Sequence, residues 1–509
     1  MGCNGPAGAA RGNCAVKLIL GIDQSTSATK ALLFTEMGEL LDKTAVSHQQ
    51  IYPRPGWVEH DAVEIYQSTL QAVTALLARN KAKQDSLLCL SITNQRETIV
   101  VFDKESGEPL HNAIVWQCRR GEKICAELEA AGHGETVKRK TGLKIDTYFP
   151  ASKLTWLLQN RPAIAQKLAD GEALIGTIDA YLIYRLTNGR SFATDQTNAS
   201  RTLLFDINTL TWDAELCQLF GVPLAALPEV HDSNTSFGET DLDGLLERPI
   251  PIAGVMGDSQ AALFAQRCFT PGSAKVTFGT GSSVLLNIGS KVAYSDSGLV
   301  TALAWVIDGQ PVYAFEGITN FTGATIAWLR DQLGLINSVE ETEELAADVP
   351  DTGGVYLVPA FVGLSAPYWQ PQARAVIVGL NPSSTKKHVV RAALEGIAFR
   401  IHDVLLLMAQ DAAVNLQTVH ADGGAVNNRF LMQFVADLTR LTVRAARLPE
   451  LSALGAVLAG LIGMGVYADL NAIAQLPRET IDYLPVMSTE VVTKLKQGWQ
   501  RAVRQVLTE

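Results

Sequence analysis

VKLILGIDQSTSATKALLF, Val16 to Phe34, and AKVTFGTGSSVLLNI, Ala274 to Ile288, are the stretches that decide the fold. Each is an apolar, β-prone run, a turn of hydroxyl or glycine residues, and a second apolar run. In the first, Val16 to Ile22 reads as a strand, Gln24 to Thr29 as the turn and Ala31 to Phe34 as the return strand. In the second, Ala274 to Phe278 and Val284 to Ile288 flank a turn from Gly279 to Ser283. One hairpin design met twice implies two related halves. Between them, Ile250 to Met256 reads as a strand ending at Gly257 and Asp258, followed by a helix from Gln260 to Arg267. Further on, Thr418 to Ala421 leads through Asp422, Gly423 and Gly424 into a helix from Phe430 to Leu441. The class is therefore α/β. A boundary near Cys268 to Gly272 divides the chain into residues 16–268 and 269–509, behind a disordered leader over 1–15.

The 509 residues exclude a lone small binding module, and 47% hydrophobic with 18% charged residues supplies large cores. A net charge of −10 argues against nonspecific nucleic-acid or anionic-membrane attachment, so any phosphate is held locally. Seven scattered cysteines without a CxxC pair fit a reducing, cytoplasmic setting. The charge-free run from Leu451 to Ala468 contains four glycines and predicts a close-packed buried helix rather than a membrane span.

Three turns, Asp23 to Thr29, Gly279 to Ser283 and Gly423 to Asn428, follow predicted strands and present backbone N–H groups that suit phosphate oxygens. The P-loop, the dinucleotide fingerprint and the protein-kinase signatures are absent. As residues alone, Asp23 and Asp258 fit either helix caps or carboxylates for a metal–phosphate complex or a proton. Arg96 and Glu97 fit either a polyol clamp or a surface pair. Trp57, Trp116 and Tyr148 fit packing or a binding wall. Arg119, Arg120 and Lys123 read as a solvated helix face, and His60 and His388 as structural.

Longer strings carry a resemblance. RPGWVEHD (Arg54 to Asp61), SITNQRET (Ser91 to Thr98), VWQCRR (Val115 to Arg120), TNASRTLLFD (Thr197 to Asp206) and DGGAVNN (Asp422 to Asn428) are similar to the FGGY carbohydrate kinases, in their glycerol kinase branch. YFPASKLTWLLQN (Tyr148 to Asn160) and AVIVGLNPSSTKKHVVRAALE (Ala375 to Glu395) resemble the two family signatures. The resemblance implies two actin-like, ribonuclease H-like domains around a central cleft, with ATP and Mg2+ between them and a small polyol deeper on the N-terminal side. It implies Asp258 as general base and Asp23 with Asp258 beside the metal. Thr26, Ser27, Lys30, Thr280, Gly323, Gly424 and Asn428 match nucleotide-side positions. Arg96, Glu97, Trp116, Tyr148, Asp258 and Ser259 match the acceptor-contacting set. It also implies a homo-oligomer.

Departures bear on specificity. Ser259 stands where the family usually has Gln, and Ser283 where it has Phe. Both enlarge the expected slot, which keeps a longer polyol or ketose (erythritol, a pentitol, xylulose) beside glycerol as acceptor. Lys30 replaces an Arg and Ala327 a Gln near the adenine position. No Gly-Gly-x-Arg loop lies between Thr240 and Pro249, so no feedback by a sugar bisphosphate is expected. A third reading is a nucleotide-dependent regulator without phosphoryl transfer.

Overall fold

The computed structural model describes residues 16–507; the leader expected over 1–15, with Cys3 and Cys14, lies outside the described residues. Both hairpins form, and each founds a sheet. The first sheet contains β1 (Leu18–Gln24), β2 (Ala28–Thr35), β3 (Leu40–Ser47), β4 (Leu87–Asn94), β5 (Ser236–Thr240) and β6 (Ile250–Gly257), ordered β5-β6-β4-β1-β2-β3. The second contains β7 (Ser273–Phe278), β8 (Ser282–Gly289), β9 (Val300–Ile307), β10 (Gln310–Thr319), β11 (Thr418–Asp422), β12 (Thr442–Ala446) and β13 (Thr480–Tyr483), ordered β9-β10-β8-β7-β11-β12-β13.

Five strands correspond in order and direction. β3-β2-β1 and β10-β8-β7 are antiparallel, with β9 added outside β10, and β1-β4-β6 and β7-β11-β12 are parallel runs. Two related halves, read from two hairpins, are thus visible as two related sheets.

The strands start and stop where side chains change environment. β1 is buried at every position, as a central strand covered on both faces must be. Its pairing with β2 continues through Asp23↔Lys30 and Gln24↔Thr29, so the turn shrinks to Ser25–Ser27, tighter than the sequence suggests. Helix α1 (Ala62–Arg79) buries Ala62, Ile65, Tyr66, Thr69, Val73 and Leu76, the spacing of one helical face, against β2 and β3. Asp61 caps it by accepting from the Val63 and Glu64 amides. Helix α2 (Asp258–Ala265) leaves β6 directly, two residues earlier than expected. α3 (Gly323–Asp331) follows β10, and α4 (Lys386–Ala412) crosses the second sheet. His388 serves the capping box of α4 with Thr385, a structural role as expected. α5 (Arg429–Thr439) follows the β11 turn.

α6 (Leu451–Gly463) is the buried helix predicted from its charge-free run. It lies late in the chain yet packs on β6, β4, β1 and α2, all elements of the first half. A Cβ at Gly455 would run into the Ala261 carbonyl, one at Gly460 into Ala253, and one at Gly463 into Asn234. Glycine at these positions sets the helix directly against backbone. Among the described residues, no helix is long and apolar enough to cross a membrane. The five described cysteines are buried and free.

Candidate active site

In open α/β sheets ligands collect beyond the carboxyl ends of parallel strands. Here β1, β4 and β6 run parallel and end together: Asp23 faces Thr93, and Thr93 faces Met256. Their ends deliver Asp23, the Arg96–Glu97 loop and Asp258 to one place. From the second sheet, the turn at Gly281 to Ser283 and the end of β10, with Glu316 and Ile318, close a cavity of about 250 Å³. Thr26, Arg96, Glu97, Trp116, Tyr148, Asp258 and Ser259 all line it. Seven expected site residues from five separate segments therefore meet in one cavity.

Arg96 and Glu97 are buried, at 5% and 2% exposure, which settles the clamp-or-surface choice against a surface pair. They belong to a crossed set of charges. The Arg96 Nη2 donates to Glu316 Oε1 at 2.8 Å and its Nη1 to Gln260 Oε1 at 3.0 Å. Its Nε lies 3.3 Å from Asp258 Oδ1 and 3.7 Å from Glu97 Oε1. Arg201 Nε donates to Glu97 Oε1 at 2.6 Å, and its Nη1 approaches Glu316 Oε2 at 2.7 Å without hydrogen-bond alignment. Burial pushes the Glu316 carboxyl up, but Arg201 and Arg96 together hold it at about 2. Burial raises Glu97 despite the same two arginines. Glu97 also has φ 60°, a left-handed backbone that costs a non-glycine residue about 1–3 kcal/mol. Its carboxylate is fixed by Arg201 and its backbone by this turn.

Trp116 and Tyr148 meet edge to face, with ring centroids 5.5 Å apart, and the Trp116 Nε1 donates to Thr26 Oγ1 at 3.1 Å. Behind them Lys153, fully buried, donates through Nζ to the carbonyls of Tyr148 (3.0 Å) and Trp116 (3.2 Å). One ammonium thus fixes the backbone of both aromatics, and burial brings its pKa down to about 7. Ser259 and Ser283 line the cavity as expected; the Ser283 Oγ is buried and among the described residues has no hydrogen-bond partner.

Of the residues expected on the nucleotide side, Thr26, Ser27, Lys30, Thr280 and Gly323 sit at the two hairpin turns, Gly424 and Asn428 at the turn after β11, and only Thr26 lines this cavity. Ser27 is exposed at the first turn. Lys30 Nζ bridges Asp23 Oδ2 (3.2 Å) and Glu450 Oε2 (2.7 Å). Burial pushes Asp23 up to about 6, Lys30 opposes this, and the charges of Asp258 and Glu450 add to the rise. Two carboxylates that repel across an open site suit Mg2+, which takes one or two carboxylates and completes its shell with phosphate oxygens and water. At the second turn Thr280 is exposed, and its carbonyl accepts from the Thr322 and Ala324 amides at 2.9 and 3.0 Å. Gly323 starts α3 against that turn, where a Cβ would lie 2.8 Å from the Gly279 carbonyl oxygen. Gly424 is open, with nothing within 4 Å of a Cβ. Asn428 caps α5 through Oδ1, and its Nδ2 donates to Thr342.

Sequence reasoning missed Glu316, Arg201, Lys153 and Glu450. A lone Glu in the apolar run of β10 and two arginines needing counter-charges were the available signals. One expectation fails: Arg120 is not on a solvated face. Its side chain is buried between Trp57 and Trp156, at 4.3 and 4.9 Å from the ring centroids, and pairs with Glu59 at 2.6 Å. Arg119 and Lys123 beside it are exposed, but the chain turns Arg120 inward onto Trp57, Trp156 and Glu59.

Known proteins are similar to this chain over nearly all of its length. Residues 18–265 match the N-terminal domain of the FGGY family of carbohydrate kinases, and 274–464 match its C-terminal domain. Glycerol kinase 1 of Thermotoga maritima is 46% identical over 491 residues, 96% of this chain and all of that one. The glycerol kinase of Desulfitobacterium hafniense is 45% identical over 96% of this chain and 99% of its own. Among solved structures, Plasmodium falciparum glycerol kinase with ADP has a TM-score of 0.93 at 36% identity, covering 97% of this chain and 99% of that one. A ligand-bound xylulose kinase from Lactobacillus acidophilus, at 21% identity and a TM-score of 0.85, covers 96% and 99% and shares the fold. With both family domains matched in order and relatives similar from end to end, the chain belongs to the FGGY family of carbohydrate kinases.

Proposed function

We propose that the protein transfers the γ-phosphoryl group of ATP to a terminal hydroxyl of glycerol, giving glycerol 3-phosphate and ADP. The observation that carries this reading is one cavity holding a polyol-sized hydrogen-bonding set, Arg96 and Glu97, walled by Trp116 and Tyr148, with Asp258 at its edge. Arg96 donates to acceptor hydroxyls and Glu97 accepts from them. The Asp258 carboxylate takes the proton as the hydroxyl oxygen bonds to phosphorus, and the bond to the β,γ-bridging oxygen breaks. Asp23 and Asp258 would hold Mg2+, which would supply positive charge against the phosphates. Thr26, Ser27, Lys30 and Thr280 flank the phosphates from the two hairpin turns, and Gly323, Gly424 and Asn428 edge the rest of the nucleotide. Ser259 adds a contact beside the base. The end-to-end similarity to glycerol kinases favours glycerol over a longer polyol.

The same reading includes a division at about residue 268 into a polyol-side and a nucleotide-side domain, a cytoplasmic location and a homo-oligomer. ADP release with MgATP and glycerol, dihydroxyacetone, erythritol, xylitol or xylulose tests the acceptor, with Asp258→Asn as control. Glycerol should give the highest kcat/KM. A longer polyol winning would make Ser259 and Ser283 the specificity determinants, and no stimulation by any polyol would sink the kinase reading.

A further inference from the structure

At the end of β2 and β3 away from Asp23, a cavity of about 500 Å³ lies between the two halves. Its walls are the β2–β3 turn, the end of α2, the link from β12 into α6, and the segment entering β13. That size suits a small organic ligand. Leu40, Leu451, Leu454 and Leu458 make one side apolar. Three arginines, Arg267, Arg447 and Arg478, line the remainder, and among the described residues none has a carboxylate within 4 Å. Glu39 and Glu479 also border the cavity but pair with none of the three. In a chain of net charge −10, three unpaired guanidiniums around one hollow call for an anion.

The arginines are held in place. Arg267 has φ 55° at the end of α2, a position glycine ordinarily fills. Its guanidinium donates to the carbonyls of Ala474 (3.1 Å), Pro477 (3.2 Å) and Leu476, while its Nε is buried without a partner among the described residues. Arg478 Nη1 donates to the Gln266 carbonyl at 2.7 Å. Among the described residues the Arg447 side chain makes no hydrogen bond or ion pair; its backbone N–H donates to the Glu479 carbonyl. Burial, then the charge of Arg478, pulls Arg267 down to about 10, a repulsion that a bound anion relieves.

We propose that this cavity is a second, non-catalytic site for an organic phosphate monoester. The phosphate sits among Arg447, Arg478 and Arg267, whose planar donors suit its oxygens, and the organic body lies on the leucines. Because the walls come from both halves, the ligand bridges them.

Isothermal titration of the full chain with phenyl phosphate, in the presence of MgADP and glycerol, tests this. Phenyl phosphate should bind with one-site stoichiometry, more tightly than inorganic phosphate, and phenol should not bind. Arg447→Ala, which removes no internal bond, should weaken phenyl phosphate about tenfold, and Arg478→Ala should do the same. Arg447→Lys should fall between wild type and Arg447→Ala. No phenyl phosphate binding, or equal binding by wild type and both alanine variants, would overturn the site. Inorganic phosphate binding as tightly as phenyl phosphate would overturn the apolar half of the proposal.

Discussion

Around the cavity lined by Arg96 and Glu97 four buried charges are crossed, so that Arg96 and Arg201 each meet both Glu97 and Glu316. The turns at Gly279 to Ser283 and Gly423 to Asn428 carry no charge at all; there the work falls to backbone groups and to glycines that leave room. On the proposed reading, one region would hold its ligand by side chains whose charges balance, the other by the path of the main chain. The two should therefore fail differently: the first when a side chain loses a function, the second when a side chain is added.

The largest effect is expected at the cavity edge. Asp258→Asn should lower kcat about a thousandfold, within the range of general-base removal, with KM for glycerol changed only a few-fold. Initial rates over both substrates check it; an unchanged kcat would take Asp258 out of the chemistry. Glu316→Gln comes next. It leaves two buried guanidiniums short of one counter-charge, which should cost about 3 kcal/mol of stability in denaturant titration and raise KM for glycerol.

At the backbone-built region, Gly323→Ala forces its Cβ against the Gly279 carbonyl and should cost about 1–2 kcal/mol. KM for ATP should rise while KM for glycerol stays put. Gly424→Ala meets nothing within 4 Å, so it should leave stability intact, and a loss there as large as at Gly323 would erase the contrast.

The smallest effect concerns Asp23, which pairs with Lys30 at the first hairpin. Its carboxyl is raised from 3.8 to about 6, so between those values the folded protein holds a proton that the unfolded chain has released. Stability therefore falls as pH rises through that window, and the penalty is complete above about 6. In metal-free protein, the Tm of wild type relative to Asp23→Asn should drop by a few degrees from pH 4 to 6. MgADP should offset the drop.

The hairpins were legible because their pattern is local: apolar run, turn, apolar run. Arg96 and Glu97 were recognisable within a distinctive string just past a strand, and Asp23 and Asp258 because each ends a predicted strand beside a turn. Glu316 was not, since its meaning comes from Arg96, 220 positions away, and Glu450 acts on Lys30 across 420. Lys153 sits inside a string that was quoted, yet nothing local shows that it binds the carbonyls of Trp116 and Tyr148. Arg120 misled because its charged neighbours are exposed while the chain turns it inward.

The late helix α6 has a consequence for how the molecule is made. The first sheet is finished only by residues 451–463, so the nascent chain leaves the ribosome with β6, β4 and α2 lacking their cover until nearly the last tenth is synthesised. The amino-terminal half cannot mature ahead of the rest, as successive domains usually do. A nonsense codon anywhere before Leu451 would thus damage both halves, not only the one it shortens.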